Sequence, residues 1–313
     1  MTYSAAGTIQ ASDYNGLAGG TAANVSGELN TVLSTGRGNA GYGQTAVSNV
    51  TAVTNDVSAT QWTTLVNGVD KVRKHQSGAG YTNLTAYTSG QTINATNNFA
   101  ANLTTAYTTR LTAAVQGATV TGATNSPNFT LVNGLAGATF RFSRTATFGS
   151  GDAARYFFNA GGQLNFVIIS VANNDGTTRS ASLVTLAATN FASKKIGAQD
   201  CVARTGTGGT LNSDGTTNTG YYTLTTSNVT KTQITSTTAT YTSDTFVLTA
   251  KSNGVQGSNA DAGSVVTLSV DLTSATQTGG FNDSINITVN HRVDVIYPSS
   301  TFLANTWGSV TIA

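Results

Sequence analysis

The stretch Ile285-Asn286-Ile287-Thr288-Val289-Asn290-His291-Arg292-Val293-Asp294-Val295-Ile296-Tyr297 decides the fold class of this chain. Apart from His291, its odd-numbered positions are aliphatic or aromatic, whereas its even-numbered positions are polar as far as Asp294. Strict alternation over such a length is typical of a β-strand with one dry face and one wet face. His291 is in phase with the apolar positions, which favours a core histidine over a catalytic or metal-binding one.

Shorter stretches with the same period surround this strand in the sequence. Residues 140–143 and 266–272 alternate in the same way, and residues 166–169 are apolar on both faces, which predicts a central strand. Turn-forming Asn-Gly and Asp-Gly pairs separate these runs, and no helical pattern intervenes. The sequence therefore predicts an antiparallel, jelly-roll-like β-sandwich over residues 135–313, with an exposed loop at 202–220.

The first third of the chain has a helical period instead. Apolar residues recur three and four positions apart and predict helices over 12–34, 60–76 and 95–112, joined by glycine-rich loops at 35–57 and 77–92. The fold class predicted for the whole chain is α+β. We expect a short helical region at 1–120, a linker at 121–134 that contains Pro127, and the sandwich at 135–313.

The middle helix has the clearest boundaries. Ser58 and Gln61 have the spacing of a capping box, and Gly78 follows the last helical residues, as at many helix C-termini. The basic run Lys71-Val72-Arg73-Lys74-His75 lies in the last turns, where positive charge complements the helix dipole.

Three such short helices make a thin core, so the helical region is expected to depend on a partner or on the rest of the chain. Residues 1–120 are therefore predicted to dock or oligomerise. The predicted assembly interface consists of the apolar positions on these helices, namely Tyr14, Trp62, Leu65, Val69, Phe99 and Leu103.

Charge is scarce throughout the chain. Only 9% of the 313 residues are charged, against about 25% in ordinary soluble domains. A surface rich in Thr, Ser, Asn and Gly does little to repel a neighbouring copy, which predicts a homo-oligomer, a trimer or higher. The net charge of +2 without a basic stripe argues against nucleic-acid binding.

The sequence has neither a signal-peptide pattern nor an apolar run of membrane-spanning length, so we expect synthesis in a cytoplasm and no membrane insertion.

The residues that usually carry chemistry are few and scattered. The chain has two histidines and one cysteine, Cys201, without zinc-ligand spacing, and its glycine-rich segments lack the Lys-Ser/Thr of a phosphate loop. No nucleophile-elbow pattern is present, although a Ser-His-Asp triad assembled from distant segments stays open. We expect no enzymatic activity, no cofactor and no metal.

Several motifs together resemble a known class of protein. In the first part of the chain these are Gly41-Tyr42-Gly43-Gln44-Thr45, Thr60-Gln61-Trp62-Thr63-Thr64-Leu65 and Lys71-Val72-Arg73-Lys74-His75-Gln76. Further on they are Phe140-Arg141-Phe142-Ser143-Arg144 and the segment 154–163. Over residues 1–170 the chain resembles virion structural proteins of tailed phages, particularly marine and cyanobacterial ones. The resemblance implies a virion component of a neck, tail, baseplate or fibre, assembled in the host cytoplasm with other virion proteins, and it transfers no active site.

Other functions remain alternatives. One alternative, also a virion structural protein, is a capsid decoration protein. In a different class, the β region would be an adhesin that recognises a host surface glycan, with tyrosines such as Tyr221 and Tyr222 stacking on sugars. A depolymerase or glycosidase is disfavoured by the sparse inventory of acidic residues and histidines, although a glycosidase needs only two carboxylates.

Overall fold

The computed structural model describes residues 10–20, 25–34, 38–51, 57–79, 88, 99–132, 135–256, 262–278 and 283–313. Within these residues, the N-terminal third holds helices α1 (Ala11–Ala18), α2 (Leu29–Leu33), α3 (Ala59–Ser77) and α4 (Phe99–Thr108). The predicted helix over 12–34 is thus two short helices, α1 and α2. The predicted start of the last helix at residue 95 lies outside the described residues.

Helix α3 is one residue longer at each end than the predicted helix over 60–76, and its caps are the predicted ones. The Ser58 hydroxyl accepts from the Gln61 amide at 3.3 Å, and the Gln61 side chain accepts from the Ser58 amide at 2.8 Å. This reciprocal pair is the capping box. At the other end Gly78 is left-handed with a φ of 73°, and its amide donates to the Lys74 carbonyl.

The rest of the chain is mainly strands, with helices inserted between some of them. In chain order the strands are β1 (Gln116–Val120), β2 (Asn128–Leu131), β3 (Ala138–Thr147), β4 (Gln163–Asn173), β5 (Ser193–Ile196), β6 (Thr210–Asp214), β7 (Val229–Thr235), β8 (Thr245–Ser252), β9 (Val265–Ser274), β10 (Ile285–Pro298) and β11 (Thr311–Ile312). Helix α5 (Gly151–Asn159) precedes β4, and helix α6 (Thr178–Val184) continues into a π-helical turn at Thr185–Phe191. The chain is therefore α+β with two antiparallel sheets, which confirms the predicted fold class.

The first sheet is built on β10. Its order is β1-β10-β4-β5, and β2 pairs with the same side of β10 as β1 does, farther along that strand. Val293 of β10 lies opposite Phe166 of β4, and a bulge between Asn290 and His291 shifts the register beyond that point. Because β4 has a strand on each side, the prediction of a central strand at 166–169 is confirmed.

The second sheet has the order β11-β3-β9-β8-β7-β6. Strands β6 to β9 form a meander of neighbours in sequence, and β3 joins the sheet beside β9. Alternate residues of the central strands are fully buried, among them Phe246, Leu248, Leu268, Val270 and Leu272. These side chains cover one face of the second sheet and form part of the core.

Aromatic rings connect the two sheets into one sandwich. Phe142 of β3 lies with its ring centroid 4.5 Å from that of His291 on β10 and 6.4 Å from that of Phe166 on β4. Phe191, at the end of the π-helical turn, stacks on Phe246 of β8 at 4.3 Å and contacts Phe166 at 6.1 Å. His291 is fully buried, as its phase along the strand predicted.

Three local expectations were wrong. Helices α5 and α6 interrupt a region where the sequence predicted strands alone, because Ser150 and Thr177 cap helices there. The loop predicted at 202–220 contains β6, which is an edge strand of the second sheet. The linker predicted at 121–134 contains β2, and Asn125 forms a β-bridge with His291, so this segment belongs to the first sheet.

Candidate assembly surface

The six side chains predicted to form an assembly interface are buried within the chain itself. Trp62 and Phe99 are 6% and 7% exposed and lie with their ring centroids 5.2 Å apart. The other four, Tyr14, Leu65, Val69 and Leu103, are at most 2% exposed. All six belong to a single hydrophobic core that continues into the sandwich. Since their apolar surface is already covered, they do not present a face to another molecule, and a surface for assembly has to be sought elsewhere.

Helices α1 to α4 form what we call the helical layer. The segment Gly38–Gly41 joins this layer to the sandwich. Arg155 on α5 donates to the Gly38 carbonyl at 3.1 Å, and the Asn159 side chain donates to the Gly41 carbonyl at 2.9 Å. The Tyr222 hydroxyl bonds both the Gly38 carbonyl, at 2.9 Å, and Asn159 Oδ1, at 2.8 Å. Buried hydrogen bonds of this kind fix the relative position of the two layers because breaking them leaves polar groups unpaired.

His75 makes a further connection between the layers. Its side chain is 2% exposed, and its Nε2 lies 2.9 Å from the Ala160 carbonyl just beyond α5. Burial lowers the pKa of His75. The expectation that His75 complements the helix dipole as part of a basic tail was therefore wrong, because its ring is turned into the core.

Three amide side chains each bond both the amide and the carbonyl of one backbone residue, as a neighbouring β-strand would. The Asn15 amide both donates to and accepts from the backbone of Val50, at 3.0 and 2.7 Å, and Asn30 does the same with Val47, at 2.8 and 2.8 Å. Gln44 bonds the backbone of Ala304 in the same manner, at 2.9 and 2.8 Å. These contacts hold an irregular segment to the helices and to the C-terminal part of the chain.

The buried ionisable groups are also held by partners within the chain. The Lys194 ammonium lies 2.5 Å from Asp214 Oδ1, with both side chains at most 9% exposed. Lys231 donates to the Thr219 carbonyl, to which the Cys201 thiol also donates at 3.3 Å. Burial raises the pKa of the Cys201 thiol and lowers that of Lys231. Across the described ranges, no three His, Cys, Asp or Glu side chains are grouped closely enough to hold a metal ion.

The outer face of the first sheet carries a ladder of uncharged polar side chains. Asn128 of β2 and Asn174, just beyond β4, each donate to both Asn286 Oδ1 and Thr288 Oγ1 on β10, at 3.0–3.2 Å. One step along, Asn290 donates to Ser170 at 2.8 Å. We call these six residues the amide ladder. Cross-strand pairs of this kind stiffen a sheet while leaving its surface polar and neutral.

The outer edge of the first sheet lies next to the amide ladder. The segment from Gln116 to Leu131 follows β10 for most of its length, from the pairing of Gln116 with Pro298 to that of Leu131 with Ile285. We call residues 116–131 the outer edge. Strand β1 is exposed at four of its five positions, and beyond the edge Val132 is 81% exposed.

The outer edge lies in a part of the sequence without ionisable charge. Residues 111–140 contain no Asp, Glu, Lys, Arg or His. Alternation did not reveal β1, because both of its faces are exposed and leave no apolar period to detect. In β2 the alternation covers only four residues, with Phe129 and Leu131 toward the core. The absence of charge is no signal for an edge strand either, because residues 76–109 are also uncharged and contain α4.

None of the helices in the described part of the chain is long and apolar enough to cross a membrane. The chain matches no protein-family model, no curated protein and no solved structure.

Proposed function

We propose that this chain is a non-enzymatic structural subunit of a tailed-phage virion, assembled in the host cytoplasm, which binds copies of itself and other virion proteins. A neck, tail, baseplate or fibre appendage is the proposed location. The observation that carries the proposal is the exposed, uncharged outer edge beside the neutral amide ladder. The sequence resemblance over residues 1–170 supplies the virion context.

The physical argument starts from what a sheet edge does when it is left uncovered. Its outward amide and carbonyl groups are ready to pair with another strand, and proteins that stay monomeric usually protect such edges with Lys, Pro or inward charge. Strand β1 has none of these residues, and its side chains would cause no ionic repulsion when brought against another molecule. A subunit that ends up covered in an assembly has no need of this protection.

The rigid connection between the layers supports the same function. Arg155, Asn159 and Tyr222 fix the helical layer to the sandwich through Gly38 and Gly41. These hydrogen bonds hold the two layers together at this junction. That property suits a structural part of a particle.

The test is to find the chain in purified particles. Virions banded on a density gradient should contain this polypeptide at many copies per particle in mass spectrometry. Gold-labelled antibody raised against it should decorate the neck, tail, baseplate or fibre in electron micrographs. Label on the head surface would identify the alternative within the same class, a capsid decoration protein. Particles that lack the polypeptide would overturn the proposal.

A second candidate function is carried by the amide ladder. Amide and hydroxyl groups held in a fixed array on an exposed sheet are suitable donors and acceptors for sugar hydroxyls. An adhesin would use this face to bind a host surface glycan. On a glycan array, the full chain should then bind a defined sugar, and the Asn290→Ala variant should bind it more weakly. The matched control is Thr139→Ala on the second sheet, where an exposed hydroxyl pairs with Thr273 at 3.0 Å.

A further inference from the structure

We propose that the outer edge pairs with the same edge of a second copy, antiparallel and with Val120 on the two-fold axis. The paired segment is Ala118–Gly122 of each copy. This inference deepens the self-association in the proposed function by naming the surface and the partner, and its basic unit is a two-fold pair, whereas the sequence led us to expect a trimer or higher. It does not depend on the particle in which the subunit is used.

The geometry of β1 leaves one side of the strand for a partner. Thr119 and Val120 lie opposite Ile296 and Val295 of β10, and β1 is the terminal strand of its sheet. In an antiparallel pair, alternate residues direct their amide and carbonyl groups away from the partner strand. Ala118, Thr119, Val120 and Thr121 are exposed, so no other part of the described chain covers this side.

The groups at the end of the segment are held within the chain and keep it in place. The Gly122 amide donates to Asp294 Oδ1 at 3.2 Å, and Arg144 donates to the Ala123 carbonyl at 2.6 Å. A side chain at Gly122 would collide with the Val293 carbonyl, since an added Cβ would lie 2.1 Å from its oxygen. The segment therefore lies close against β10, presented as a fixed template.

The sequence of this segment is complementary to itself. Reading outward from Val120, the neighbours are Thr119 and Thr121, and then the small residues Ala118 and Gly122. An antiparallel pair centred on Val120 therefore sets threonine opposite threonine and a small residue opposite a small residue. Cross-strand pairs of Thr and of β-branched residues are favourable. This self-complementarity is the reason that we name a second copy as the occupant.

Because the paired segment has no charged residues, two copies of it can pair without electrostatic repulsion between them. A two-fold contact brings every residue near its own counterpart, so any unbalanced charge would face a like charge. Residues 111–140 contain none, and the charged side chains that contact the end of the segment, Asp294 at Gly122 and Arg144 at Ala123, lie away from the axis at Val120. The pair would join two first sheets into one continuous sheet across the axis.

The first experiment uses a single cysteine at the axis. Residues opposite each other in an antiparallel pair have Cα atoms about 4.5–5.5 Å apart, which is within the range of a disulfide. The Val120→Cys variant, oxidised at micromolar concentration, should form a covalent dimer on a non-reducing gel. The native Cys201 is 5% exposed and serves as an internal background in every sample.

The matched control is Val132→Cys. Val132 is more exposed than Val120, 81% against 52%, so its thiol is at least as accessible to oxidant. In the proposed register it lies roughly 40 Å from the axis, twelve residues along the strand, and should remain uncrosslinked. Equal crosslinking of the two variants, or none at Val120→Cys, would overturn the proposal.

A charge swap tests the register itself. In the Thr119→Lys/Thr121→Lys variant each lysine faces a lysine of the other copy, and the dimer dissociation constant should rise at least about tenfold. In the Thr119→Lys/Thr121→Glu variant each lysine faces a glutamate, and dimerisation should return to near the wild-type level. Sedimentation equilibrium of the full chain measures both.

The outcomes separate this inference from the proposed function. A wild-type chain that sediments as a monomer at all concentrations overturns the self-pairing, even if virions contain the polypeptide. A wild-type dimer disrupted by lysine pairs and restored by Lys–Glu supports it, even if virions lack the polypeptide. Weak association that neither double variant changes would show that some other surface is used, and would also overturn it.

Discussion

Two buried histidines contribute to the response of this chain to mild acid. His75 contacts the Ala160 carbonyl at the junction of the layers, and His291 lies between Phe142 and Phe166 in the sandwich. Burial lowers the pKa of both. Both rings therefore bind a proton less readily in the folded chain than in the unfolded chain, where their pKa is the ordinary one of about 6.5.

The free energy of unfolding should fall as the pH decreases below about 6.5, because the unfolded state then binds more protons than the folded state. Above that pH the contribution of the histidines is constant. The steepest slope available is about 1.4 kcal/mol per pH unit for each histidine. Urea denaturation at intervals between pH 5 and 8 measures it, and this window lies above the range in which most carboxylates titrate.

The His291→Phe variant provides the control for that slope. A phenylalanine keeps an aromatic ring between Phe142 and Phe166 but removes one of the two titrating groups. The slope between pH 5 and 6.5 should then be reduced. A variant with the wild-type slope would show that His291 does not contribute to the pH dependence.

At the scale of secondary structure, the elements that the sequence predicted well are those with a local signal. Helix α3 could be predicted because the capping contacts of Ser58, Gln61 and Gly78 involve only residues a few positions away in the sequence. The alternation of β10 was equally informative, since one face of that strand is buried along its length. Strand β1 could not be predicted in this way, because its pairing with β10 is a long-range contact that imposes no period on exposed side chains. Strand β2 does alternate, with Phe129 and Leu131 toward the core, but over only four residues.

The capping box of α3 gives a prediction at this scale. The Ser58→Ala variant should lose about 1 kcal/mol of stability, because the Gln61 amide loses its acceptor and the reciprocal pair is broken. Thermal unfolding followed by circular dichroism measures the change. The matched control is Thr64→Ala in the same helix, where the hydroxyl only bonds back to the Thr60 carbonyl at 2.9 Å. Thr64→Ala should be neutral or slightly stabilising, because alanine has the higher helix propensity. Equal losses in the two variants would contradict the capping role.

At the scale of the whole molecule, the helical layer and the sandwich share one hydrophobic core. The six predicted interface residues belong to it, together with Trp307 near the C-terminus. The sequence could show that Trp62, Leu65 and Val69 form an apolar stripe, but not what covers it. Such a stripe can be buried either by a distant part of the same chain or by a second molecule, and the sequence pattern is the same in both cases. The stripe on the helices is covered by the chain itself, whereas the outer edge is exposed.

A shared core predicts cooperative unfolding of the two layers. The Trp307→Phe variant retains only Trp62, which reports on the helical layer, and Trp62→Phe retains only Trp307, which reports on the C-terminal part. Because the layers bury each other's surface, they should unfold together in urea. In each variant, the fluorescence transition should therefore coincide with the circular dichroism transition of the same variant. A helical layer that melts well before the far-ultraviolet signal of the strands would show that the layers are independent units.

The amides of Asn15 and Asn30 make the segment around Val47 and Val50 vulnerable to slow chemical ageing. Hydrolysis of either amide to a carboxylate would replace a donor by an acceptor opposite the backbone carbonyl of Val50 or Val47, so a paired contact would become a repulsive one. Such a change would release this segment from the helices while leaving the strand pairing of both sheets in place, because neither asparagine belongs to a strand.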